Sequence, residues 1–189
     1  MFDYEIRMVL PRDLADITKI LNTSLSFGLA TTSRLVQKVN SPLSLSMIKD
    51  GSVIAYISAK ELRDLEKEFL FHEDIIEVVK TKFEVNKSII VTHIVVDEQY
   101  RNQGLGSILL ETLLSNSKFH NYFTVGWEKR SSKKWDAEKI FKKEGFEIIF
   151  YKENYWLRDS LLNDYSCPYC NTGCLCSAKI CFKPSNIKT

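Results

Sequence analysis

Residues Ser88 to Leu114, SIIVTHIVVDEQYRNQGLGSILLETLL, constrain the fold more than any other part of this 189-residue chain. Ile89, Ile90, Val91, Ile94, Val95 and Val96 are β-branched and nearly uninterrupted, the composition of a strand buried on both faces. After Gly106, residues Ile108, Leu109, Leu113 and Leu114 recur at helical spacing and predict one apolar helical face. Between them lies Arg101-Asn102-Gln103-Gly104-Leu105-Gly106. Two glycines ahead of a helix allow unusual dihedrals and close approach of a ligand to the backbone. The amides of Gln103, Gly104, Leu105, Gly106 and Ser107 then converge at the positive end of the helix, a site for an anion such as phosphate. The nucleotide P-loop is excluded because no Lys-Ser/Thr follows the glycine, and the three-glycine dinucleotide fingerprint is absent.

The remaining chain supplies the partners such a strand needs. Phe2 to Leu10 predicts a first strand, and Leu14, Ile17, Ile20 and Leu21 predict a helix that runs to Leu25. A short helix is expected around Arg34 to Val39. Leu43 to Ile48 and Ser52 to Ala59 flank Lys49-Asp50-Gly51, a hairpin signal. Residues 60–84 contain neither Pro nor Gly and predict a helical insertion, with His72 at a solvated acidic helix end. Tyr122 to Trp127 and Phe146 to Tyr151 predict fifth and sixth strands on either side of an amphipathic helix over Lys134 to Glu144. A seventh strand is expected around Cys181. Hydrophobic content of 44% and charged content of 26% fit one globular domain over 1–189. With no apolar run near ~20 residues and no N-terminal basic-then-apolar segment, a cytoplasmic protein without a membrane partner is expected. A formal net charge of +2 indicates no nucleic-acid partner.

The pattern Arg-x-x-Gly-x-Gly after a strand ending Val95-Val96-Asp97 resembles the acyl-CoA pyrophosphate loop of the GCN5-related N-acetyltransferase (GNAT) superfamily. Ala137-x-x-Ile140-Phe141-x-x-x-Gly145-Phe146 resembles the second signature of that family, and the likeness spans roughly Phe2 to Tyr151. It implies an α/β fold with a mixed, mostly antiparallel six- to seven-stranded twisted sheet, flanked by helices and splayed at strands 4 and 5. It also implies transfer of an acyl group, most simply acetyl from acetyl-CoA, directly to a primary amine: a peptide N-terminus, a lysine or a small amine. On this resemblance Val95, Val96, Asp97, Arg101, Asn102, Gln103, Gly104, Leu105, Gly106 and Ser107 contact the cofactor, joined by Lys134 and Phe141. The oligomer is a monomer or a homodimer. A non-catalytic acyl-CoA sensor, or a zinc-stabilised interaction module on a degenerate version of the fold, is the alternative.

Attack by an amine that is mostly protonated at neutral pH calls for a base. Glu128, at the end of the fifth strand in Trp127-Glu128-Lys129-Arg130, looks like the Glu-x-Arg of peptide N-terminal acetyltransferases. His93 and Thr92 are alternatives, and strand alternation lets only one of them face the acceptor unless a bulge intervenes. Phe141 stands where the family usually has a tyrosine acid, with Tyr151 or Tyr155 as possible replacements. Lys134 stands where an asparagine often orients the cofactor.

All five cysteines lie between Cys167 and Cys181. In the loop over 166–176, between strands 6 and 7, Cys167, Cys170, Cys174 and Cys176 have the spacing of a structural zinc site and resemble a zinc knuckle. Cys181 is set apart as a small buried residue of the seventh strand.

Overall fold

The computed structural model describes residues 3–25, 31–83, 85–163, 167–171 and 173–184. Strands β1 (Glu5–Met8), β2 (Ser44–Lys49), β3 (Ser52–Glu61), β4 (Ser88–Val96), β5 (Asn121–Glu128), β6 (Glu147–Lys152) and β7 (Ser177–Pro184) form one sheet in the order β1-β2-β3-β4-β5-β7-β6. Every neighbouring pair is antiparallel except β4 with β5. Between β2 and β3 the chain turns at Asp50 and Gly51, both at positive φ (50° and 79°), as a tight hairpin of this twist requires. The parallel pair needs a crossover, which α5 (Leu105–Ser115) supplies.

Helices cover both faces of the sheet. Against one face pack α5 and α6 (Glu138–Lys143), through Leu105, Leu109, Leu110, Leu113 and Phe141 on Met47, Ile57, Ile89 and Val91. Against the other pack α1 (Leu14–Ser24) and α2 (Thr32–Leu35), whose Ile17, Leu21 and Leu35 meet Tyr56 and Val95. Further along that second face, α3 (Leu65–Glu68) and α4 (Glu73–Lys82) bring Leu65, Ile75 and Val79 onto Ile90, Phe123 and Ile180. Each of these large side chains contributes about 1.5–3 kcal/mol by leaving water. A last helix, α7 (Leu157–Leu162), lies between β6 and β7 in the chain. None of the described helices is long and apolar enough to cross a membrane.

Four local expectations change. Residues 60–84 do not form one helix. Lys60 and Glu61 extend β3 opposite Ile90 and Ile89, Asp64 caps α3, and Phe71 at φ 72° breaks the chain before α4. His72, expected in solvent, is 8% exposed and stacks on Tyr155 at 4.0 Å between ring centroids. The helix expected over Lys134 to Glu144 is confined to Glu138–Lys143. Upstream of it the chain is held as a turn by Lys129 N–H on the Lys134 carbonyl, while the Trp135 ring lies against Gly126. On α5 the buried stripe is Leu105, Leu109, Leu110 and Leu113, with Ile108 and Leu114 only half-buried. The stripe is rotated because Gly106, also buried, is the close contact to α6.

Two packing features yield predictions. Asp13 is 4% exposed and takes both ends of the Arg7 guanidinium (2.6 and 2.9 Å) together with the Leu10 amide (2.8 Å). Burial alone would raise its carboxyl pKa, but Arg7 and the Leu10 amide hold it below the ordinary carboxylate value. A lowered folded pKa stabilises the protein above the unfolded value, and that stabilisation is lost as the pH falls through the folded one. Asp13→Asn is therefore expected to cost about 3 kcal/mol in urea unfolding at pH 7 and progressively less in acid. A cost that does not shrink in acid would remove the ion pair from the explanation. At Gly106, an added Cβ would stand 2.9 Å from the Ile140 Cδ1. Gly106→Ala should lose about 1–3 kcal/mol by overpacking, and Ile140→Ala in the same chain should recover part of it; strictly additive losses would contradict the contact.

Candidate active site

Pairing of β4 with β5 runs only from Ser88 with Asn121 to Val91 with Thr124. Beyond that point β5 stays with β7 through Glu128, while β4 continues along β3 to Val96. The two strands therefore part, leaving the Thr92 to Val96 edge of β4 free of a strand partner. The Asp97 amide donates to the Ile54 carbonyl of β3 (2.8 Å). Alternation along a strand then turns the Val96 N–H and C=O toward the open edge. Arg101 Nε donates to that Val96 carbonyl (3.1 Å). The Val96 side chain packs on the α5 face and Val95 on the α1 face.

At the end of this edge the loop from Asp97 to Gly104 feeds α5. Asp97 accepts the Gln99 amide (3.0 Å), and Asn102 and Gly104 both take positive φ (62° and 80°). The left-handed Gly104 is the N-cap of α5, and no protein atom comes within 4 Å of where its Cβ would be. Gln103 and Gly104 are exposed at the N-terminal end of α5, beside the slot, while Leu105 and Gly106 are buried. The second glycine has another task, since Gly106 permits the close contact with Ile140. Arg101, expected on the cofactor, is engaged by Val96 and by Ser24 Oγ (2.9 Å), and so braces the loop against the end of α1.

On the α1 face, β4 carries a bulge: Ser58 pairs with His93 and Ala59 with Val91, leaving Thr92 as the extra residue. The bulge brings Thr92 and His93 together where simple alternation would separate them. Both reach the Ser58 hydroxyl, at 2.9 Å from Thr92 Oγ1 and 3.2 Å from His93 Nδ1. Burial, followed by the nearby Lys38 and Lys60 ammoniums, pushes the His93 pKa down to about 4, so the ring is neutral at physiological pH. Lys38 comes from the segment after α2, with its Nζ on the Ala59 carbonyl (3.4 Å). Burial, with Lys60 nearby, also lowers its own pKa. Sequence reasoning had no sign of Lys38, which reaches the sheet only through the path of the chain after α2.

Glu128 and Tyr151 meet on the opposite face. Glu128 is 5% exposed, with Oε1 accepting from the Tyr151 hydroxyl (2.9 Å) and Oε2 paired with Lys179 (2.6 Å). Lys179 also pairs with Glu138 of α6 (2.9 Å). Although burial opposes it, Lys179 and Tyr151 hold the Glu128 pKa below its ordinary value. Each carboxylate oxygen thus holds one partner, and the Lys179 ammonium balances the Glu128 charge. Tyr155 stacks on His72 and packs edge-on to Trp156, and burial raises its hydroxyl pKa. Phe141 is buried between Trp135 and Phe146, and Lys134 is exposed on the loop before α6.

The sulfur atoms of Cys167, Cys170, Cys174 and Cys176 lie within 4.8 Å of one another, with Cys176 at 3.9 Å from Cys167 and 3.6 Å from Cys170. Four thiolates around a tetrahedral zinc stand about 3.8 Å apart. The Tyr169 amide donates to the Cys167 sulfur (3.5 Å), and, against the effect of burial, the Leu175, Cys176 and Arg130 backbones lower the thiol pKa values of Cys170, Cys174 and Cys176 in turn. The buried Trp127 indole N–H has no oxygen or nitrogen acceptor and lies beside the Cys176 sulfur. The cluster is tied to its surroundings by Cys174 N–H on Ser160 Oγ (2.8 Å) and Tyr155 N–H on the Cys176 carbonyl (3.1 Å). Trp127 also packs against Trp156 and Tyr169. Cys181 stays apart in the core beneath α6.

A family model described as an acetyltransferase (GNAT) domain matches residues 48–148. Among solved structures the chain resembles Ard1 from Thermoplasma volcanium with a TM-score of 0.63 at 18% identity, over 96% of this chain and 97% of that one. It resembles the ribosomal-protein-S18-alanine N-acetyltransferase from Escherichia coli with a TM-score of 0.65 at 16% identity, over 98% and 96%. For yncA from Salmonella typhimurium with its cofactor acetyl-CoA, the TM-score is 0.66 at 13% identity, over 98% and 96%. No curated protein sequence gives a significant match. At such identities the structures speak for the fold alone, but the family match covers more than half of the chain and includes the slot, the glycine loop and the Ala137 to Phe146 junction: this protein belongs to the GNAT acetyltransferase family.

Proposed function

We propose that this protein is an acetyl-CoA-dependent N-acetyltransferase that transfers acetyl directly to the α-amine of a peptide N-terminus. The observation that carries the reading is the parting of β4 from β5 next to the exposed, left-handed Gly104 turn at the start of α5. The pyrophosphate would rest on the amides of Gln103 to Ser107, and the pantetheine arm along the open β4 edge. The thioester oxygen would then meet the Val96 N–H as negative charge develops on it.

His93, not Glu128, is the group we assign to the attacking amine. It is neutral and lies on the α1 face, whereas Glu128 is neutralised by Lys179 on the other. A base as weak as His93 accepts the proton of an amine that is already uncharged but does not strip an ammonium. At pH 7 about a tenth of an α-amine is neutral, against well under a thousandth of a lysine side chain. The Lys38 and Lys60 charges further disfavour a cationic acceptor. The Escherichia coli neighbour is named as an N-acetyltransferase of an alanine of ribosomal protein S18. The thiolate leaves without an acid from Phe141, which is tolerable for a group with a pKa of about 8.5.

Calorimetry with acetyl-CoA, together with CoA release over a panel of peptides and amines, tests this reading. His93→Gln should lower kcat/KM by roughly a hundredfold, with acetyl-CoA affinity unchanged. Because burial keeps His93 neutral above about pH 4, kcat/KM should rise with pH up to the pKa of the acceptor, with no break near 6.5. Binding of acetyl-CoA without turnover on any amine would support the sensor reading instead, and failure to bind it would overturn the cofactor site.

We also propose that Cys167, Cys170, Cys174 and Cys176 hold a structural zinc. Four sulfur ligands leave no open position for catalysis, and a closed site would fix the long connection from β6 to β7. Metal analysis should find about one zinc per chain, and Cys167→Ser should lose it, lower the melting temperature and raise the acceptor KM without changing acetyl-CoA affinity. Unaltered melting of the metal-free protein would remove the claim.

A further inference from the structure

Three atoms behind His93 decide which of its nitrogens carries the proton. Thr92 Oγ1 lies 3.1 Å from the Ser58 carbonyl, which can only accept, so a bond there uses the single Thr92 hydroxyl proton. The Ser58 hydroxyl lies 2.9 Å from the same Thr92 Oγ1 and must then be the donor in that contact. With its own proton committed, Ser58 Oγ can only accept from His93 Nδ1, 3.2 Å away.

We propose that Thr92 and Ser58 are positioning residues that hold His93 as the Nδ1–H tautomer, leaving the bare Nε2 lone pair for the acceptor amine. This rests on the assignment of His93 to the amine. Among the described residues nothing pairs with Nε2, and with Nδ1 held against β3 it is the nitrogen left for a ligand. The order of donors follows from the bulge. Thr92, as the extra residue of β4, turns to the same side as His93 and reaches back to the carbonyl of the residue that His93 faces. Ser58 is fully buried between them, so water does not compete for its proton. The neighbouring Tyr56 hydroxyl of β3 lies near those of Ser58 and Ser44, with Ser44 opposite Ser58 and Ser46 opposite Tyr56 in register. With Tyr56 donating, Ser58 Oγ has lone pairs for both Tyr56 and His93 Nδ1 and keeps its own proton for Thr92, so the Thr92 carbonyl contact fixes the direction of the chain. A valine at position 92 would free the Ser58 proton to point at Nδ1, which would force the hydrogen of the ring onto Nε2 and present a donor where an acceptor is needed.

Nitrogen-15 NMR of imidazole-labelled protein reads the tautomer directly, with the His93 signals assigned by their loss in His93→Gln. In the wild type at pH 7 a protonated Nδ1 and a bare Nε2 are expected. Thr92→Val should move the population toward the Nε2–H tautomer and lower kcat/KM by roughly tenfold to a hundredfold with acetyl-CoA affinity intact; Thr92→Ser, which keeps the hydroxyl, should restore both. A wild-type Nε2–H tautomer, or a Thr92→Val protein with unchanged tautomer, would overturn the proposal. An unchanged rate in His93→Gln would instead overturn the assignment of His93 to the amine, whatever the tautomer measured.

Discussion

One extra residue in β4 governs the working end of this protein. Parallel pairing with β5 stops at Val91, and the bulge at Thr92 follows immediately. A bulge bends its strand and increases the local twist. Here it carries β4 off with β3 while β5 remains paired with β7 through Glu128. The same irregularity sets Thr92 and His93 side by side on Ser58. The slot beside β4 and the polar cluster on Ser58 therefore share one cause. Substitutions that restore regular pairing would close the first and scatter the second together.

The two glycines of the loop divide the labour differently from what their proximity suggests. Gly104 sits at φ 80° with open space around its Cβ position, so backbone conformation and ligand approach are what it provides. Gly106 is buried in contact with Ile140, and so belongs to the packing of α5 on α6. Ile140 comes from the second signature, which makes the two motifs one contact rather than two separate marks. Gly126 shows the same logic on β5, where the Trp135 ring occupies the place of a side chain. Because of these contacts, the glycine loop is continuous with the packing of the α5 face.

Much of this was legible in the chain because it is written in short periods. The unbroken apolar run of β4, the Asp50-Gly51 hairpin and the glycine turn before α5 each depend on neighbours in sequence, and the structure has all three. What was illegible depends on residues far apart. Glu128 reads as a free carboxylate until Lys179 arrives from β7 and Tyr151 from β6. The 60–84 segment reads as one helix because its charged pattern has the right period, whereas the break at Phe71 is set by burial of Phe69 and His72 against distant residues. The bulge left only a faint trace, the polar pair Thr92-His93 inside an apolar strand.

The cysteine cluster completes this logic at the other wall of the slot. Where β5 leaves β4, Trp127 has no neighbouring β4 side chain to pack against on the α1 side, and it is covered by Trp156, Tyr169 and the cysteine sulfurs. That cover is a long connection whose ordering would cost much conformational entropy without a cross-link. Four sulfurs already gathered at metal-binding separation lower the cost of closing the cross-link on a metal.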